Sequence, residues 1–376
     1  MGVLHRRCAG LQARRLLAKN ARSGIIALCI DGSSGVSASI SPLKFRPKLV
    51  PKIWGARRLE TVLGKRLPDG ERYGESWEVS AHPGDETPVE WPPEYAGAAI
   101  PQLAASEAAG RIFGKEAEAV RQGGFPLLYK FIDADAVLSV QVHPDDAYAR
   151  KHENDNGKTE CWVIIDAAPG SLIYKGFKPR VDARTFDALL AENRVEECLN
   201  SFAARPGDVV FIPARTVHAI GAGILLSEIQ QSSDVTYRVY DWGRVGDDGR
   251  PRALHVRQAR EVTDFSPPAE NAAAPLRSTS VTGGRLETLV ECASFALERL
   301  VLDLPGNALL PTAGGGRFSI LSVIEGSGVI SWAADGGGGR AEVETGRGDS
   351  FLVPAAVDAV AFSAAGPSVV LNAYVP

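Results

Sequence analysis

The residues able to do chemistry gather in three short stretches, "LSVQVHPDD" (Leu138 to Asp146), "GKTECWVII" (Gly157 to Ile165) and "PARTVHAIG" (Pro213 to Gly221). A strand points successive side chains to opposite faces. Ser139, Gln141 and His143 therefore share one face, while Leu138, Val140 and Val142 take the other. Lys158, Glu160 and Trp162 likewise share a face. His218 follows a Gly207–Asp208 turn and "FIP", a pattern that delivers a ligand to the mouth of a barrel. Such polar groups are costly to bury without partners. One amide (Gln141), two imidazoles (His143, His218) and one carboxylate (Glu160) make a mixed nitrogen and oxygen set suited to zinc or another borderline divalent ion. With Glu160 as the one charged donor the site stays positive, which favours an oxyanion forming on a substrate.

The other candidates have plainer readings. A lone histidine on a strand is ordinarily a hydrogen-bonded structural residue, and His82 and His255 are taken that way. His152, in "RKHENDNGK", reads as a solvated loop residue. Asp145 and Asp146, after Pro144, read as turn residues.

Composition bounds what these residues can serve. The chain has 376 residues, 45% hydrophobic and 23% charged, within the range of folded globular proteins. A formal charge of -4 and the lack of a basic stripe argue against nucleic acid as a partner. No apolar run reaches membrane-helix length, so no membrane partner is expected. The five cysteines, with no CxxC spacing, suggest reduced thiols in a cytoplasm-like compartment. The first 42 residues hold six basic residues and one acid, leaving -9 for the remainder. They read as an extension outside the fold, disordered or misassigned, with an Arg-rich targeting leader as the alternative.

From Lys44 onward, short apolar runs between Gly and Pro predict many strands and few helices, hence a sandwich or barrel. "GESWEVSAH", "PLLYKFIDA" and "ECWVIID" read as strands, Ser106 to Arg121 as a helical patch, and "ARTFDALLAENRVEECLN" as one helix. "RPGDVVFIPARTVHAI" and "RGDSFLVPAAVDAV" share Gly, Asp and Pro at equal offsets, a weak internal repeat. No histidine follows His255, so the second copy keeps the turn and lacks the site.

The Gly207, Pro213 and His218 spacing resembles the cupin pattern. Within cupins, "LSVQVHPDD", "GKTECWVIID", "PARTVHAIG" and "SEIQQSSDVTYRVYDWGR", taken in order, closely resemble type I mannose-6-phosphate isomerases of the short bacterial form. "KFRPKLVPKIWGARRL" and "GESWEVSAH" fit the same family. The resemblance is strong over residues 43–260 and loose beyond them. It implies a mainly β protein of two cupin-like, jelly-roll barrels with a few inserted helices, the C-terminal barrel lacking the metal site. The implied organisation is an extension (1–42), a catalytic cupin domain (43–260), a linker (261–284) and a cupin-like domain (285–376).

The resemblance also implies roles. Gln141, His143, Glu160 and His218 match the family's metal ligands, with one zinc ion expected per chain. Arg238 matches its catalytic arginine. Lys158, Glu228 and Asp234 match residues near the sugar phosphate, and the proton-shuttling base is left open between Glu228, Lys158 and a bound water. The phosphate is expected against Lys158 and Ser139. Arg215 departs from the cupin pattern, standing where a glycine is usual. The implied activity is metal-dependent interconversion of mannose 6-phosphate and fructose 6-phosphate, in a monomer or homodimer. A cupin oxygenase and a non-catalytic sugar-phosphate-binding cupin are the alternatives, the first weakened because only two histidines face inward.

Overall fold

The computed structural model describes residues 40–246, 249–268, 270–311, 316–334 and 339–376. The expectation for the first 42 residues therefore lies almost wholly outside the described residues. Among the described residues, strands predominate and are organised in four antiparallel sheets.

Two of these sheets position the candidate site. The six-stranded sheet runs, in order, Val209–Ile212, Glu160–Ala167, Ile224–Gln231, Leu127–Ala134, Tyr73–Val79 and Lys48–Ala56. The five-stranded sheet runs Tyr237–Tyr240, Val140–Val142, His218–Ile220, Leu172–Phe177 and Leu199–Ala203. Alternation decides what each face meets. Ile132, Trp162, Ile164, Val210, Ile212, Ile224 and Leu226 of the first sheet form one buried cluster with Ile173 and Ile220 of the second. The two sheets thus pack face to face, and Lys130, Glu160, Glu228 and Gln141 keep the same parity as that cluster.

Both sheets are also covered behind. Val140, Val142, Val217, Ala219 and Val239 on the back of the five-stranded sheet pack with Phe186, Ala259 and Val262. Phe186 comes from the helix Ala183–Ala191, where the Asp182 side chain accepts the Thr185 N–H at 2.8 Å. Such a cap stabilises a helix by about 1 kcal/mol. On the back of the six-stranded sheet, Tyr129, Phe131, Cys161, Val163 and Ile229 join the core of the C-terminal part.

That core is closed by an eight-stranded sheet, ordered Arg277–Val281, Gly284–Glu291, Ala296–Leu302, Ser368–Tyr374, Ser319–Glu325, Ser350–Val353, Leu43–Phe45 and Val89–Trp91. A four-stranded sheet of Gly306–Pro311, Ala359–Ala364, Ser327–Ala333 and Arg340–Gly346 adds Leu310, Ile330, Trp332 and Phe362.

Four local expectations change. The helix expected over "ARTFDALLAENRVEECLN" ends at Ala191, and Leu199–Ala203 is a strand. The helical patch at Ser106 to Arg121 is resolved into short helices, Ile100–Ala105, Ala109–Phe113 and Ala117–Arg121. The expected linker contains an edge strand, Arg277–Val281, paired with Gly284–Glu291; its polar "RSTS" face is exposed, as an edge strand tolerates. The domain boundaries interleave, because Leu43–Phe45 pairs with Ser350–Val353.

Candidate metal centre and active site

The cluster is built by strand register. His218 and Arg238 lie opposite Gln141 from its two neighbouring strands. Across the cleft, Gln230 lies opposite Glu160, and Glu228 lies opposite both Lys130 and Trp162. His143 follows its strand directly. The "HPDD" turn then fixes the exit, because the Asp145 side chain caps the helix Asp146–His152 by accepting the Tyr148 N–H at 3.0 Å. The Asp146 carboxylate accepts the Gly157 N–H at 2.8 Å and the Gln231 amide at 3.0 Å. A Cβ on Gly157 would meet the Asp146 backbone nitrogen at 2.4 Å. Only glycine lets the loop close here, and this closure places Lys158 beside His143.

His143, Glu160 and His218 are buried and offer ligand atoms within 4.8 Å of one another. Each imidazole is held from behind: His143 Nδ1–H donates to Val235 O at 2.9 Å and His218 Nδ1–H to Thr216 O at 2.8 Å. The second nitrogens face Glu160, His143 Nε2 at 3.5 Å and His218 Nε2 at 3.2 Å. Backbone carbonyls behind metal-ligating histidines fix the ring and its tautomer in this way. Burial, reinforced by Lys158, pushes His143 well below its ordinary pKa, and burial lowers His218 to about 4. Both rings are neutral at pH 7, the form that binds metal.

Glu160 lies at the centre of the cluster. Neither of its buried oxygens accepts a hydrogen bond, an expensive arrangement unless a cation is present. The Lys158 ammonium approaches this point, 3.1 Å from Glu160 and 3.3 Å from His143 Nε2. The Gln141 amide is 3.3 Å from His218 Nε2 and carries an oxygen that a cation could take. The donor set fits a divalent ion. Among the described residues, no other cluster of His, Cys, Asp or Glu has this geometry.

Lys130 and Glu75 are two site residues that the sequence reading missed. Lys130 is 5% exposed, with its ammonium 3.2 Å from Glu228 and 3.7 Å from Glu75. Glu228 also accepts the Trp162 indole N–H at 3.0 Å, and burial with the nearby Glu160 raises its pKa. Burial would raise Glu75 too, yet Lys130, Lys52 and the Trp77 indole hold it down to about 2. The missed signal was a lysine at mid-strand in "LLYKFIDA", where only a paired charge is tolerated.

The remaining candidates scatter around the cleft. Arg238 is half-buried, donating to Ser139 Oγ at 3.3 Å and to Ala253 O at 2.9 Å. Asp234 is exposed, within electrostatic reach of Lys130. The His255 Nδ1 accepts the Arg238 N–H at 3.2 Å. Arg215 takes φ +73°, keeping the left-handed conformation a glycine would supply, and its N–H donates to His143 O at 2.7 Å. The exit turn is therefore preserved at a local strain of about 1 to 2 kcal/mol.

Comparison with known proteins identifies relatives over most of the chain. The family description "Phosphomannose isomerase type I, catalytic domain" matches residues 43–173. The chain is 35% identical over 313 residues to the mannose-6-phosphate isomerase of Streptococcus mutans, covering 83% of this chain and 92% of that protein. It is 37% identical over 288 residues to the mannose-6-phosphate isomerase ManA of Bacillus subtilis, covering 76% and 86%. The solved mannose 6-phosphate isomerase of Bacillus subtilis superposes with a TM-score of 0.76 at 31% identity, covering 89% of this chain and 99% of that one. The chain belongs to the type I mannose-6-phosphate isomerase family.

Proposed function

We propose that the protein interconverts D-mannose 6-phosphate and D-fructose 6-phosphate, moving a proton between C2 and C1 of the open-chain sugar through an enediol. One observation carries this reading most directly: two neutral imidazoles and an unsatisfied carboxylate converge beside a buried chain of paired lysines and glutamates. Gln141, His143, Glu160 and His218 would hold the ion, with zinc the choice their mixed donors favour. A bound divalent ion supplies Lewis-acid polarisation of the sugar's oxygens.

The chain's own residues handle the proton and the charge. Glu228, with its raised pKa, is assigned as the base that takes the C2 proton and returns it to C1, with Lys158 as its rival. The C1 carbonyl becomes a hydroxyl and the C2 hydroxyl a carbonyl, so no external oxidant is needed. Lys130 sits between Glu228 and Glu75 and limits the electrostatic rise of Glu228. Arg238 stays protonated and is assigned to the negative charge that develops on oxygen. Ser139 orients Arg238, and Ser139, Lys158 and Asp234 are assigned to the substrate. Residues 285–376 are assigned a supporting role.

The test is an assay of purified protein for conversion of mannose 6-phosphate to fructose 6-phosphate, before and after chelation and again with zinc restored. Activity should vanish and return. Turnover that survives complete metal removal would overturn the reading.

A further inference from the structure

A cavity of about 540 Å³ opens between the strand Lys48–Ala56 and the segment after Tyr237–Tyr240. Its wall carries Lys52, Trp54, Arg72 and Arg252, with Glu71 as its one acid. The volume falls within the range of small-ligand sites. The three cations are committed to different degrees. Lys52 lies 3.1 Å from Glu75 and keeps a third of its side chain exposed. Arg252 donates Nε and one terminal nitrogen to Asp241, at 2.7 and 2.6 Å. Arg72 is exposed and makes no side-chain hydrogen bond or ion pair among the described residues. Glu71 is occupied in accepting the Tyr73 hydroxyl at 3.0 Å. The cavity is thus lined for an anion, with one guanidinium uncommitted.

Its position relative to the metal cluster follows from a continuous ladder of charges. Lys52 meets Glu75 at 3.1 Å, Glu75 meets Lys130 at 3.7 Å, and Lys130 meets Glu228 at 3.2 Å. Glu228 meets Lys158 at 3.9 Å, and Lys158 meets Glu160 at 3.1 Å. Across the cavity from Lys52, the Asp241 that holds Arg252 also holds Arg244, whose side chain reaches Val137 O in the segment that carries Ser139 and leads into the strand Val140–Val142. The cavity and the metal cluster therefore stand at opposite ends of one chain of paired charges. In an open-chain hexose 6-phosphate, the reacting C1–C2 pair and the phosphate are also at opposite ends. Lys158 is a poor grip for the phosphate, being 4% exposed and hemmed in by Glu160 and Glu228. A dianion there would face both carboxylates.

On the isomerase reading above, we propose that this cavity anchors the substrate's phosphate ester. Arg72 is its principal donor, Lys52 and Arg252 flank it, and the Trp54 ring lines the path of the sugar chain toward the metal cluster. A guanidinium suits a phosphate because its planar fork gives two parallel charge-assisted hydrogen bonds.

The deciding experiment compares wild type with Arg72→Ala and Arg72→Lys. Arg72→Ala should raise KM for mannose 6-phosphate by about tenfold or more while kcat changes less than about twofold, as loss of uniform binding requires. Competitive inhibition by inorganic phosphate should weaken in parallel, metal content should stay normal, and Arg72→Lys should recover part of the affinity. Unchanged KM and unchanged phosphate inhibition would overturn the assignment, and so would a fall confined to kcat. A 31P NMR titration with inorganic phosphate needs no turnover and separates the two readings. If wild type failed to isomerise, yet phosphate binding was present and lost in Arg72→Ala, the isomerase reading would fall and the anion subsite would stand. If wild type isomerised and Arg72→Ala bound phosphate normally, the subsite would fall alone.

Discussion

Two turns of the molecule begin alike and end differently. In "RPGDVV" the Asp208 carboxylate accepts the Arg205 N–H at 2.9 Å, with Gly207 at φ +88°. In "GRGDSF" the Asp349 carboxylate accepts the Gly346 N–H at 3.0 Å, with Gly348 at φ +91°. Five residues after Pro213 stands His218; five after Pro354 stands Ala359. The strands around His218 carry Gln141, Glu160 and Lys130 inward, whereas Ala359–Ala364 lies among Leu310, Ile330 and Trp332. The turn is a packing device that either half can keep. The metal site requires a set of inward polar residues that compensate one another, and removing part of such a set favours an apolar filling.

The largest expected effect comes from making the first turn like the second. His218→Ala should remove most bound metal and lower turnover by about 10³-fold or more, since the ion's contribution is several kcal/mol. His143→Ala and Glu160→Ala should match it, and Gln141→Ala should do less, because water can fill its place. Metal analysis beside steady-state kinetics decides this, and any of the three retaining full metal and turnover would not be a ligand.

Arg238→Ala comes next. Turnover should fall by about 10² to 10³ with metal content normal, the usual effect of losing one electrostatic donor. Arg238→Lys should rescue only part. A rise in KM alone would mark Arg238 as an anchor.

The two glycines then distinguish the turns by stability. Alanine at 207 meets nothing within 4 Å, so Gly207→Ala should cost about 1 to 2 kcal/mol from backbone strain alone. Alanine at 348 would meet Leu63 O at 2.1 Å, adding overpacking of about 1 to 3 kcal/mol. Thermal melts should place Gly348→Ala clearly below Gly207→Ala; equal melting temperatures would show that the Leu63 contact is readily relieved.

The smallest effect is a slope with pH. Glu75 pairs with Lys130 and Lys52, which hold it down to about 2 from an ordinary 4.5 despite its burial, whereas Glu78, three residues on, pairs with Lys65, whose ammonium also donates to Gly348 O, and is raised by burial. A carboxyl held down stabilises the fold above 4.5, and that stabilisation drains away as pH falls toward 2. Glu75→Gln should flatten this part of the acid-unfolding profile, and an unaltered slope would refute the shift.

These contrasts also explain what the sequence revealed. Gln141, His143 and His218 were legible because the five-stranded sheet alternates, with Val140, Val142 and Ala219 on its other face, and Glu160, in the six-stranded sheet, was legible from the polar residues around it in "GKTECW". Lys130 was not, because its strand is buried on both faces and shows no alternation. Arg277–Val281 was hidden for the opposite reason, its exposed polar residues reading as a linker. Arg215 shows a limit of spacing rules, since an arginine can hold a glycine's φ when its backbone N–H is tied to His143 O. The interleaving of Leu43–Phe45 with Ser350–Val353 left no local trace.

That last pairing has a consequence for synthesis of the chain. Leu43–Phe45 sits between Ser350–Val353 and Val89–Trp91, and Lys44 reaches Asp349 at 2.6 Å. One partner of this short strand emerges early and the other roughly 300 residues later, a delay of about 15 to 60 s at ordinary ribosome speeds. Throughout that interval an early strand presents a bare hydrogen-bonding edge, which is the kind of surface that chaperones and other nascent chains recognise.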